Sequence, residues 1–162
     1  MSARGVLYRL PLAVLSAIAS LATAAVFATP AVADDGSLGQ LVPVDAAEYL
    51  SSDPHYRGTV FFQAPDGRDC AIYFNDGGAG CDAVPADAPQ GTNQVRTSGY
   101  EIARYTVSAT PTYTYPAGAK VLPEGHKITW SNATCGVGLQ GTITCDVGDH
   151  GFTIAATYGV LY

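Results

Sequence analysis

The sequence predicts an all-β domain: a small disulfide-stapled β-sandwich or open barrel of short antiparallel strands, following a cleaved signal peptide. Three observations predict it. From residue 59 onward, short runs rich in Val, Ile, Thr, Tyr and Phe alternate with clusters of Gly, Asn, Asp and Pro, the pattern of short strands and turns. The four cysteines fall into two close pairs, Cys70 with Cys81 and Cys135 with Cys145. Finally, an order of strand, turn, Cys strand, Gly-rich turn and Cys strand at residues 61–81 echoes weakly at 128–145. Two such units packing their apolar faces together make a sandwich or open barrel.

The N-terminus reads as an export signal. Arg4 and Arg9 form a basic start, an uncharged Ala/Leu/Val-rich run covers residues 10–28, and Ala31-Val32-Ala33 precedes the polar Asp34-Asp35-Gly36. Cleavage is expected after Ala33. A retained anchor is the competing reading, since the run approaches the ~20 residues needed to span a bilayer. Pro11, Pro30 and the small-residue cleavage site favour removal. No cysteine lies near the cleavage point, which argues against a lipid anchor. The expected product is secreted or held at the cell envelope, is monomeric, and has no stable membrane span.

Removing 33 of the 162 residues leaves 129, enough for one domain with one core. The division expected is a signal at 1–33, an acidic segment at 34–57 and a β domain at 58–162. Without Arg4 and Arg9, six Lys+Arg face 14 Asp+Glu, a net charge of −8. That charge repels phosphate backbones and anionic membranes, so nucleic acid is excluded as a partner.

Four cysteines permit three connectivities. Each close pair flanks a Gly-rich turn, so a hairpin would bring its two strands within bridging distance and favour Cys70–Cys81 and Cys135–Cys145. An exported protein meets an oxidising compartment, and the spacings are not C-x-x-C, so disulfides are favoured over a metal site.

Along the chain, residues 34–54 read as an acidic tail or packing segment. Asp45 is the candidate N-cap of a helical turn or two, with Glu48 as its partner three residues on. Strands are expected at residues 59–63, 70–74 and 79–82, with Gly67 supplying positive φ in the first turn and Asn75-Asp76-Gly77-Gly78 forming the second. Residues 83–99 carry Pro85, Pro89 and Gly91 and read as a long exposed loop. A strand follows at 100–107, then a Thr/Tyr/Pro edge or linker at 108–116. The chain ends in strands at 127–130, 141–145 and 151–155, with turns at 136–138 and 148–151.

Several of these residues carry a resemblance. Phe62-Gln63-Ala64-Pro65-Asp66-Gly67, Cys70, Gly80-Cys81-Asp82, Leu122-Pro123-Glu124-Gly125, Thr144-Cys145 and His150-Gly151-Phe152 stand in an order that resembles a family of small secreted actinobacterial proteins, common in mycobacteria and their relatives. The resemblance covers most of the chain from Phe61 to Tyr162. It implies compartment and fold but no reaction, because the family is one of unknown function. The chain departs from that pattern in having no extra cysteine pair at 85–107, and Glu124 where an aromatic is commoner.

Candidate chemistry is sparse. Asp149-His150 beside a Gly-flanked turn is the most site-like pair, since a carboxylate next to an imidazole can tune a general base. No G-x-S-x-G elbow accompanies it, and the cysteines are expected to be oxidised, so the pair is read first as turn residues satisfying backbone groups. Asp66 and Asp69 suggest a glycosidase pair but flank a hairpin turn without an aromatic cleft. Asn75, Asp76 and Asp82, or Asp146 and Asp149, are oxygen-rich but lack the EF-hand pattern. Asn132-Ala133-Thr134 fits a glycosylation sequon, which means little in a bacterial protein. Trp130 and the Tyr113/Tyr115 pair are core or contact residues. No catalytic set, metal site or cofactor is expected. The leading expectation is a non-catalytic binding module for an envelope or extracellular protein or glycan. The alternatives are a small hydrolase using Asp149/His150 and a protease inhibitor presenting the 83–99 loop.

Overall fold

The computed structural model describes residues 38–162 apart from residue 76. The expected signal peptide, its cleavage point, residues 34–37 and Asp76 lie outside the described residues. Twelve strands run in order: β1 (Val42–Pro43), β2 (Val60–Gln63), β3 (Asp69–Ile72), β4 (Ala79–Cys81), β5 (Gln94–Ser98), β6 (Glu101–Thr106), β7 (Lys120–Val121), β8 (His126–Trp130), β9 (Ala133–Val137), β10 (Ile143–Val147), β11 (His150–Ile154) and β12 (Gly159–Leu161). They form two six-stranded sheets with no closed barrel, a first sheet ordered β7-β2-β3-β4-β5-β6 and a second ordered β1-β8-β9-β10-β11-β12.

Turn chemistry sets the first meander. Gly67, at φ 90°, donates its amide to the Ala64 carbonyl at 2.9 Å, and Ala64 donates to Arg68 at 2.8 Å, closing the β2–β3 hairpin with the backbone only glycine adopts readily. The register then places Cys70 opposite Cys81 and Cys145 opposite Cys135. Both bridges form between these direct cross-strand neighbours, so the favoured connectivity is the one observed.

The inner faces of the two sheets match row for row. Across the first runs Phe62, Cys70, Cys81, Val95 and Tyr105; across the second runs Ile128, Cys135, Cys145, Phe152 and Leu161. The first four residues of each row are fully buried and belong to the same core. A buried Phe, Ile or Val contributes about 1.5–3 kcal/mol, so these rows, with Val60, Ile72, Val137, Ile143, Val147 and Ile154 of the same core, hold the sheets face to face.

Each meander also receives its edge strand from the opposite half of the chain. β1 precedes the first meander yet pairs parallel with β8 of the second sheet, and β7 precedes the second meander yet pairs parallel with β2 of the first. Two short parallel pairs are thereby added to otherwise antiparallel ladders. The internal echo in the sequence is thus a pair of equivalent units that exchange their leading strands.

Three local expectations change. Residues 83–99 are not one exposed loop: Gln94, Val95, Thr97 and Ser98 are buried in β5, and Pro85 is buried as well. Small polar residues there hid a strand that has β4 and β6 as ladder partners. Gly136-Val137 is strand, not turn, because β8 and β10 pair with it on both sides; a Cβ at Gly136 would come within 2.4 Å of Leu41 Cδ1, so the glycine marks a close approach. At 148–151 only Gly148-Asp149 turns, and His150 opens β11.

The segment before β2 is packed. Leu38, Leu41 and Tyr49 are buried, and Asp45 caps the 3-10 turn Ala46–Tyr49 through the Ala47 amide at 2.9 Å. Glu48 makes no reciprocal capping contact; it pairs with Lys120 of β7. Among the described residues no helix is long and apolar enough to cross a membrane.

Candidate functional site

Asp82 follows β4 directly, and its carboxylate holds the chain returning from β6. One oxygen accepts from Gln94 Nε2 at 2.6 Å and the Thr112 amide at 3.0 Å; the other accepts from the Tyr113 amide at 2.7 Å and the Thr114 hydroxyl at 2.8 Å. Four donors match the four lone-pair directions of a carboxylate, so Asp82 serves as a clamp. Residues 112–114 are pinned by it across the outer face of the first sheet.

The clamp lowers the Tyr113 ring onto Gly80, where a Cβ would lie 2.3 Å from the ring. Around Tyr113, an aromatic cluster forms outside the main core. Phe61 stacks on Tyr115, with centroids 5.1 Å apart and planes at 19°, and meets Tyr56 edge-on at 5.5 Å. Tyr73 stands 6.5 Å from Phe61 and 5.9 Å from Tyr113, and its hydroxyl donates to the Thr112 carbonyl. Edge-on and offset pairs of this kind contribute about 0.5–1.5 kcal/mol each beyond burial. Hydrogen bonds with Ser51 and Ser52 hold the Tyr115 phenol below its ordinary range. The cluster is therefore a platform held by ring contacts and by the Asp82 clamp. Two open grooves flank the strap formed by residues 110–116. One, of about 380 Å³, is bordered by Tyr73, Asn75, Arg96, Thr112 and Tyr113; the other, of about 470 Å³, lies between Tyr56, Tyr73 and residues 110–116.

The residues singled out from sequence are not gathered here. Asp149 is exposed in its turn and His150 is half-buried at the start of β11; among the described residues neither side chain has a hydrogen-bond or ion-pair partner. Asp66 is bound to Arg68 at 2.7 Å; burial raises its pKa, but the Arg68 hydrogen bonds and charge outweigh this and hold it below the usual carboxylate range. Asp69 accepts from Gln63 Nε2 at 3.0 Å, so the Asp66/Asp69 pair is committed to the hairpin. Asp146 accepts from the Tyr162 hydroxyl at 2.6 Å. No group of three or more His, Cys, Asp or Glu residues that could hold a metal occurs among the described residues.

Trp130 is half-buried, donates Nε1–H to the Gly58 carbonyl at 2.7 Å and tilts against Phe74. Tyr113 and Tyr115 divide the two roles expected of them, since Tyr113 is buried and Tyr115 half-buried on the same platform. Sequence reasoning missed the platform as a unit. The available signal was the alternation in Pro111-Thr112-Tyr113-Thr114-Tyr115-Pro116, which sends both tyrosines to one side of an extended strap. Comparison with protein-family models, curated proteins and solved structures finds no match to this chain.

Proposed function

We propose that the chain is an exported, non-catalytic binding module that acts outside the cell or at the envelope, and that the tyrosine platform of the first sheet is its contact surface. The observation that carries this reading is the platform itself. The outer face of a sandwich sheet is ordinarily polar, whereas here Phe61, Ala71, Tyr113 and their neighbours form a second apolar cluster bordered by open grooves. Binding sites are commonly concave and aromatic, with a few placed polar groups, and Tyr supplies large contact area with little side-chain entropy to lose. The disulfides and the N-terminal signal pattern support the extracellular setting.

The test is affinity capture with immobilised oxidised protein, using envelope and culture fractions of its own source, run beside a Tyr56→Ala, Thr112→Val variant. Saturable retention that the variant loses supports the reading. Retention unchanged by the variant moves the contact elsewhere. Retention that tracks His150→Ala, together with a hydrolytic activity, supports the enzyme alternative.

A further inference from the structure

From the groove between Tyr56 and the strap, we infer that the ligand is a neutral saccharide; the inference rests on the platform being the contact surface. The groove is lined by two tyrosines (Tyr56, Tyr73), three threonines (Thr110, Thr112, Thr114) and two prolines (Pro111, Pro116). None of the seven bears a charge at neutral pH, in a chain with 14 acidic and eight basic residues. A phosphate or a uronate would find no cation among the lining residues and would face the Asp82 carboxylate behind Thr112 and Thr114, so an anion is disfavoured there.

The hydrogen-bonding capacity of the rim fits a polyol. Thr114 donates its proton to Asp82, leaving hydroxyl lone pairs to accept; Thr112 accepts from Gln94 Nε2, leaving its own proton to donate. Asp82 and Gln94 thus fix one acceptor and one donor two residues apart on the same strap. A sugar hydroxyl both donates and accepts, and the C–H face of a pyranose is apolar enough to lie on a tyrosine ring while its hydroxyls reach the rim. An extended peptide fits less well. The groove lies over the face of the first sheet and not along an edge strand, so a peptide backbone has no ladder to join.

The experiment is a nuclear magnetic resonance titration of the oxidised, isotope-labelled protein. The probes are neutral gluco-, manno-, galacto- and arabino-oligosaccharides, with an oligouronate and a proline-rich peptide as controls. Shifts confined to Tyr56, Tyr73 and residues 110–116 with at least one neutral sugar are expected. Tyr56→Ala should weaken that sugar about tenfold, a loss of ~1.4 kcal/mol, and Thr112→Val should weaken it with the variant's own spectral changes confined to the strap, Gln94 and Asp82. If only the oligouronate or the peptide shifts these residues, the saccharide inference falls and the platform stands as a binding surface. If no probe shifts them and captured material is retained equally by the variant, both fall.

Discussion

On the outer face of the second sheet, the row Lys127, Gly136, Thr144 and Thr153 is polar, with the Thr144 and Thr153 hydroxyls 3.0 Å apart and Leu38 and Leu41 lying over Gly136. Counted from the disulfides, the corresponding row of the first sheet is Phe61, Ala71, Gly80 and Arg96, with Tyr113 lying over Gly80. In both units the covering side chains come from the segment leading into the exchanged edge strand, β1 in one and β7 in the other. The inner rows are alike because both must fill one core at close packing. The outer rows are free of that demand, and one of them carries the aromatic platform. The two units are thus equivalent inside and divergent outside, and the divergence lies in what covers each outer face: leucines in one, an aromatic cluster in the other.

The comparison is sharpest at the bridges. The cysteines are 11 residues apart in one hairpin and ten in the other, and chain entropy predicts about 3 kcal/mol for each, differing by only ~0.1 kcal/mol. Cys70→Ala/Cys81→Ala and Cys135→Ala/Cys145→Ala should therefore lower urea-unfolding stability equally. A gap above about 1 kcal/mol would break the equivalence of the two units and point to unequal packing around the sulfurs.

Asp82 is where the units differ most. Its two oxygens take four donors from β5 and the strap, and hydrogen bonds to a charged group contribute about 1.5–3 kcal/mol. Asp82→Ala is expected to cost about 2 kcal/mol, with amide exchange rising at Thr112 and Tyr113 and staying unchanged across β8–β11. Exchange that rises in both sheets alike would show that the strap is part of the global fold and not a local addition.

The glycines beneath the two covers give a smaller contrast. A Cβ at Gly80 meets three atoms of the Tyr113 ring within 2.7 Å, and that ring hangs from a clamped backbone. At Gly136 the nearest atoms are the tips of Leu41 and Leu38, which move by changing rotamer. Overpacking costs about 1–3 kcal/mol, so Gly80→Ala should fall near 2 kcal/mol and Gly136→Ala near 1 kcal/mol by thermal melting. The reverse order would mean that the leucine cover is the stiffer one.

Much of this frame could be read from residues alone. The hairpin at Pro65-Asp66-Gly67, the bridges and the sandwich follow from turn chemistry and cysteine spacing, which are local signals. β5 and β9 were hidden for a physical reason: Gln94, Thr97, Ser98 and Gly136 are polar or small, and they are strand because partners on both sides supply the ladder. β1 and β7 are two residues long, too short for any periodicity, and their parallel pairing exists only once the opposite unit is in place. The platform was illegible for the same reason, since Tyr56, Phe61, Tyr73 and Tyr115 are distant in sequence and meet only across the folded sheet. Asp149 and His150 stand out in sequence because they are adjacent; among the described residues no hydrogen bond or ion pair joins their side chains.

Two tyrosines near the β6 and β12 edges provide the finest distinction. Tyr162 exchanges both backbone hydrogen bonds with Gly151, and its carbonyl accepts from the Ala103 amide of the other sheet. Burial, with the hydrogen bond and charge of Asp146, pushes its phenol up to about 12 from 10.0. Below pH 10 the phenol is protonated in both folded and unfolded chains, so its contribution is fully present. Between pH 10 and about 12 the unfolded chain ionises first, and the contribution is lost as the pH passes the folded value. Two units correspond to at most ~2.7 kcal/mol, and because Tyr162 is 43% exposed, solvent screening should reduce this below about 1 kcal/mol. Tyr162→Phe is expected to flatten the alkaline slope of unfolding stability. Tyr105, at the matching edge of the first sheet, has a buried hydroxyl with no hydrogen-bond partner among the described residues. Removing an unsatisfied buried hydroxyl is neutral or stabilising, so Tyr105→Phe should leave the melting temperature equal or higher at pH 7. A loss there would reveal a bridging water and make the two edges more alike than the side chains suggest.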